Sequence, residues 1–317
     1  MVWLSLAFLS ALLLGFYDTC KKKSLDGNAV IPVLFLNTLF SSVIFLPFIL
    51  LSANSHLLEG SMFYVQSQGW EVHKYILLKS CIVLSSWTLG YFAMKHLPLT
   101  IVGPINATRP VMTLIGALLL FGERLNVWQW VGVVFAIISF FMLSRSSKKE
   151  GIDFKHNIWI IFLVGAALLG AASGLYDKYL MAPAENRVLR KRTGMTDNGG
   201  LALNSMTVQS WYNFYQMAMM GIVLLIWWWK RGKTERFRWS WYIVFISVFL
   251  CAADFVYFYA LSLPAAMISI VSMVRRSSVI VSFMCGALLF HEKNLKSKAI
   301  DLLLVLVGMV FLWIGGH

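Results

Sequence analysis

The stretch LPLTIVGPINATRPVMTLIGALLLFGE, Leu97 to Glu123, opens on a leucine-proline pair, runs through small and apolar residues, carries one arginine at Arg109 and ends on a glutamate. Roughly 20 mostly apolar residues suffice for a helix to cross the hydrocarbon layer, so the stretch predicts a membrane helix that hides a cation at mid-depth. It recurs as LPAAMISIVSMVRRSSVIVSFMCGALLFHE, Leu263 to Glu292, with Arg275 and Arg276 in the middle. At a constant offset of 166, Tyr91 and Phe92 match Tyr257 and Phe258, Leu97-Pro98 matches Leu263-Pro264, and Arg109 matches Arg275. Gly116 to Glu123 echoes Gly286 to Glu292 after a register change of about one helical turn, and Gly15-Phe-Tyr-Asp18 echoes Gly174-Leu-Tyr-Asp177.

Working outward, apolar runs of membrane-crossing length fall at 2–20, 30–51, 75–94, 99–121, 127–143, 157–180, 207–229, 240–261, 265–290 and 299–315. The expected fold is therefore an all-α integral membrane protein of ten transmembrane helices. The internal match divides it into a first five-helix repeat, 1–146, and a second, 147–317. An odd number of helices per repeat makes the second copy enter the membrane from the opposite side, so the halves form an inverted repeat around a central cavity. Lysine and arginine number sixteen in the odd connectors and six in the even ones. The positive-inside rule then places the odd connectors in the cytoplasm and both termini outside it. Trp227, Trp228 and Trp229 before Lys230 and Arg231, followed by Arg238, Trp239 and Trp241, read as interface anchors around one cytoplasmic turn.

Composition agrees with this class. Of 317 residues 59% are hydrophobic and only 13% charged, whereas soluble domains carry about 25% charged residues. The formal charge of +13 does not point to nucleic acid, because the basic residues sit in short clusters between apolar runs. Cys20, Cys81, Cys251 and Cys285 lie in or beside apolar runs without disulfide or zinc spacing, and the six histidines have no metal-ligand spacing. No nucleophile, acid and base constellation is apparent. Neither an enzyme nor a metal or other cofactor is expected. The run Trp3 to Phe16 has its lysines after it, at Lys21 to Lys23, the reverse of a cleavable signal, and is expected to remain as the first helix.

The recurring leucine-proline opening, apolar stretch and terminal glutamate, with a glycine-bearing helix after each (Gly132 and Gly308), resembles the drug/metabolite transporter superfamily and its EamA-like ten-helix members. The resemblance covers nearly the whole chain. It implies a secondary transporter that works by alternating access without ATP, in a bacterial inner (plasma) membrane, and the absence of a Gly-x-x-x-x-Gly-Lys-Ser/Thr loop agrees. Such members commonly lack arginine in helices 4 and 9. The basic pair in helix 9 looks more like the sugar-phosphate branch, and Tyr212-Asn213 in helix 7 is similar to a nucleotide-sugar carrier motif.

An arginine at the bilayer centre costs about 2.5–3.5 kcal/mol on insertion scales, so Arg109, Arg275 and Arg276 must face a cavity, a partner or a ligand. A guanidinium fork fits carboxylate or phosphate. These residues are expected to bind an anionic small-molecule solute; alternatively Asp254 and backbone carbonyls satisfy them. Asp254 is either a coupling acid or the salt partner of Arg275 or Arg276. Asp18 and Asp177 are candidate gates near opposite membrane faces, or interfacial charges. Gln209, Asn213 and Gln216 share one face of helix 7 at i, i+4, i+7 spacing and either bind substrate or bond a neighbouring helix. Tyr91 and Tyr257 are candidate cavity walls or packing. The expected function is transport of a small anionic metabolite. The alternatives are export of amino acids or amphipathic molecules, with the arginines in structural pairs, and a non-transporting receptor or scaffold.

Overall fold

A chain in hydrocarbon has no water to satisfy its peptide groups, and a helix satisfies them within one segment. The computed structural model describes residues 2–109, 111–112, 115, 126–148, 156–181, 201, 203–231, 236–262, 274–292 and 295–315, and among them all regular structure is helical. The described helices are α1 (Val2–Leu25), α2 (Val30–Asn54), α3 (Trp70–His96), α4 (Leu99–Ala107), α5 (Val127–Lys148), α6 (Ile158–Met181), α7 (Ser205–Arg231), α8 (Tyr242–Ser262), α9 (Ser278–Leu289) and α10 (Leu295–Ile314). Each falls on one of the apolar runs. Three are long and apolar enough to cross a membrane by those criteria alone, α2, α3 and the Ile158–Tyr176 part of α6.

The longest helix contacts pair the first five helices with the last five: α1 with α8, α3 with α6, α2 with α7 and α5 with α10. In lipid no hydrophobic force drives helices together, so close packing and interhelical hydrogen bonds do. One serine pins each pair to the opposing backbone. Ser10 Oγ donates to the Ala253 carbonyl at 2.7 Å, Ser86 Oγ to Ala166 at 2.7 Å, Ser42 Oγ to Asn213 at 2.9 Å and Ser139 Oγ to Asp301 at 2.6 Å. Such bonds contribute about 0.6 kcal/mol each on average.

The short helix α9 is clasped between α1 and α4 at two glycines. A Cβ on Gly15 would sit 2.4 Å from Val281 Cβ, and one on Gly103 would sit 2.9 Å from Val279 Cγ1. Beyond α9, Glu292 accepts the Leu99 and Thr100 N–H groups at 2.6 and 2.8 Å and the Thr100 hydroxyl. It thereby satisfies donors that the first turn of α4 leaves without an intrahelical partner. Lys298 Nζ donates to Thr100 Oγ1 at 2.8 Å. Lys22 closes the end of α3 by donating to the Met94 and Leu97 carbonyls at 2.7 and 2.6 Å, a cation placed where the helix dipole is negative.

Candidate functional site

The expectation of unbroken helices over 99–121 and 265–290 needs correction, because both are interrupted beside their arginines. α4 ends at Ala107; Thr108 forms a tight turn in which its N–H and hydroxyl both donate to the Ile105 carbonyl, at 3.2 and 2.7 Å. Arg109 follows immediately. In the other copy the turn falls at Ser277, whose N–H and hydroxyl both donate to the Val274 carbonyl, at 3.0 and 2.6 Å, and Arg275 and Arg276 precede it. A hydroxyl that takes the i−3 carbonyl competes with the helical ladder, so a threonine or serine can break a helix where an apolar residue would continue it. Thr108 and Ser277 are 169 positions apart, as are Glu123 and Glu292. By that register Arg109 and Arg275 lie on opposite sides of equivalent turns, rather than at equivalent positions.

The two turns bring their arginines to one cavity of about 350 Å³ within the helix bundle. Arg109, Arg275 and Arg276 all line it, joined by Lys21 of α1 and Lys79 of α3. Two carboxylates, Asp18 and Asp254, share the walls, so the described lining carries three more positive than negative charges. Arg276 is exposed and lines this space, and among the described residues no carboxylate pairs with it. Arg275 donates through Nη2 to Asp254 Oδ1 and lies 4.4 Å from the Tyr257 ring centroid. Asp254 Oδ2 also accepts from Gln209 Nε2 at 3.4 Å. Arg109 has room because Gly170 on α6 lacks a side chain; a Cβ there would meet its Cζ at 3.1 Å.

On the opposite wall, Lys21 Nζ lies 3.7 Å from Asp18 Oδ1 and above the Tyr17 and Tyr91 rings, at 4.8 and 4.7 Å. Lys79 Nζ lies 4.9 Å from the Tyr212 ring centroid. Aromatic faces attract cations, more strongly out of water, so these rings hold lysines inside the protein without neutralising them. Half-buried Asn106 also lines the cavity, and its buried Oδ1 has no hydrogen-bond partner among the described residues.

Several expected site residues stand elsewhere. Asp18, expected near a membrane face, lines the cavity with the arginines; the side chain of Asp177 lies outside the described residues, as does Glu123. Tyr257 lines the cavity, whereas Tyr91 is wholly buried behind Lys21. Gln209, Asn213 and Gln216 do not line it. Asn213 Nδ2 donates to the Gln209 carbonyl at 2.9 Å, and its own carbonyl takes the Ser42 hydroxyl. Gln216 is fully buried, and neither polar atom of its amide has a partner among the described residues. Of the stripe, Asn213 meets Ser42 on α2 and Gln209 meets Asp254 on α8, and Tyr212, outside the stripe, is the α7 residue that lines the cavity. Lys79 carries a signal that the sequence reading passed over: a lysine inside an apolar run raises the same demand for a polar neighbour as the arginines.

An all-helical chain with membrane-spanning helices and a solute-sized polar chamber among them belongs to the class of polytopic membrane transporters. The sequence model of the EamA-like transporter family matches residues 1–145 and 201–314, and the chain belongs to that family. It is thus an integral membrane transporter of the drug/metabolite superfamily, whose partners are a small-molecule solute and the lipid bilayer. Among curated proteins nothing matches the chain.

Proposed function

We propose that this transporter carries a small anionic metabolite, a phosphate ester or carboxylate, by alternating access of two inverted five-helix halves, 1–146 and 147–317. The observation that carries the reading is the charge of the cavity's described lining: five cations against two carboxylates, with Arg276 exposed and outside any described ion pair. An excess of positive charge inside lipid is costly until an anion enters, and guanidinium forks hold such an anion by paired, charge-assisted hydrogen bonds. Arg109, Arg275 and Arg276 form the site, Tyr257 and Tyr212 wall it, and Asp254 and Asp18 set its charge.

The neighbour pattern supports ten transmembrane helices in an inverted repeat. Exchanging α1–α5 with α6–α10 turns the α1–α8 pair into α6–α3, leaves α2–α7, α4–α9 and α5–α10 unchanged, and turns α2–α8 into α7–α3; all of these occur. The last two also share a device. Ser247 Oγ donates to the Asn37 carbonyl at 3.1 Å and Ser80 Oγ to the Tyr212 carbonyl at 3.3 Å. Two copies that exchange conformations give inward-open and outward-open states of similar energy. The basic residues of the odd connectors favour both termini extracytoplasmic, and the family resemblance favours a bacterial inner membrane.

A second reading, export of amino acids or amphipathic molecules, draws on the Arg275–Asp254 ion pair, which ties up one arginine structurally. A thermal-shift screen of the purified protein against sugar phosphates, nucleotides, organic acids and amino acids separates the two, because a ligand of the folded state raises its stability. Stabilisation by anions supports the proposal; stabilisation by amino acids, undisturbed by excess phosphate, overturns it.

A further inference from the structure

A second cavity, of about 450 Å³, lies between α2, α7 and α8 beneath the connector from α2 to α3. Its walls are apolar. Phe63 from the connector stacks on Phe48 at 5.5 Å and on Phe255 at 5.1 Å, and Phe45 and Met206 line the slot with them. Val248 and Phe255, on its α8 side, are exposed on the protein's outer surface, which in a membrane protein is the lipid surface. The inner end is different. Gln209 lines the slot and donates to Asp254 Oδ2, while Asp254 lines the cationic chamber and holds Arg275. One amide-carboxylate contact therefore stands between a lipid-side apolar slot and a chamber with excess positive charge.

The geometry points to a single-chain lipid anion as the solute, its phosphate or carboxylate head on the chamber's arginines and its hydrocarbon tail leaving between α2 and α8. This inference rests on the anion reading above and narrows it. A fully water-soluble anion has no use for an apolar slot beside its site. An amphiphile needs one, since a tail drawn into the charged chamber would strip water from cations and offer nothing in exchange, whereas in the slot it stays in surroundings as apolar as the lipid it left. The slot's proximity to Asp254 lets the head replace the carboxylate's bond to Arg275 while the tail remains behind Gln209.

The test uses the full chain in phosphatidylcholine nanodiscs, titrated with inorganic phosphate, with dodecyl phosphate, and with neutral dodecyl maltoside as the control for partitioning into lipid. Dodecyl phosphate is expected to raise the unfolding midpoint at about tenfold lower concentration than phosphate, with dodecyl maltoside giving no such shift. Ala252→Trp, which fills the slot, is expected to weaken dodecyl phosphate about tenfold and to leave phosphate within about twofold. If that variant does not fold, Val248→Trp at the exposed lip supplies the same block. An unchanged dodecyl phosphate response in the blocked variant, or an equal response to dodecyl maltoside, overturns the lipid anion while the chamber's phosphate response keeps the anion reading intact. If Arg276→Gln alters neither phosphate nor dodecyl phosphate binding, both readings fall together.

Discussion

Two groups of polar side chains among the described residues, one around the chamber and one along the α2–α7 seam, are treated in opposite ways. Around the chamber, Lys21, Lys79, Arg109, Arg275 and Arg276 surround open space with Asp18 and Asp254. Along the α2–α7 seam, Asn37 and Ser42 of α2 and Ser210, Asn213 and Gln216 of α7 are all buried and line neither cavity, and Ser42 donates to the Asn213 carbonyl. Closing protein over a neutral amide or hydroxyl costs about 1–3 kcal/mol on mutational scales, little enough for packing to absorb; among the described residues Asn37 Nδ2 and both Gln216 amide atoms lack a partner. A guanidinium tolerates no such closure, and it keeps either an acid, as Arg275 keeps Asp254, or an exposed position, as Arg276 does. In these two regions the neutral polar groups are packed away and the cations line open space, whereas Lys298 and Asp301 on α10 are charged, wholly buried and line neither cavity.

The contrast yields a graded set of expectations. Asp254→Asn leaves Arg275 without its acid and is expected to lower stability by about 3–5 kcal/mol, read as unfolding in detergent. The double variant with Arg275→Gln should recover much of that loss. Glu292→Gln, which weakens the charged cap on α4, is expected to cost about 1–2 kcal/mol in the same assay without altering anion binding. Ser42→Ala in the seam should cost only about 0.6 kcal/mol, and at most about 1.7. Gln216→Leu removes a buried amide without a described partner and should leave stability within about 1 kcal/mol of wild type, or raise it. A seam variant as damaging as Asp254→Asn would erase the distinction between the two regions.

Much of the fold was legible because lipid imposes simple demands: the ten apolar runs each contain a helix, and the recurring Leu97–Glu123 pattern led to the arginines that line the cavity. What hydropathy could not supply was direction around the helix axis. The i, i+4, i+7 stripe Gln209, Asn213 and Gln216 was visible, but whether it faced the chamber or other helices depended on neighbours that no local pattern encodes. Nor could hydropathy reveal the breaks at Thr108 and Ser277, because it does not register which backbone and hydroxyl groups turn to the i−3 carbonyl. Asp18, by its place near the end of α1 a candidate gate or an interfacial charge, lines the chamber, a placement that hydropathy does not encode.

The account's central claim is that the chamber's guanidinium groups bind an anion. Equilibrium binding of inorganic phosphate to the purified wild type and to Arg276→Gln tests it most directly. Hydrogen bonds to charged groups contribute about 1.5–3 kcal/mol, so the variant is expected to bind roughly 10- to 150-fold more weakly with an unchanged unfolding profile. Equal affinity in a folded variant would contradict the claim.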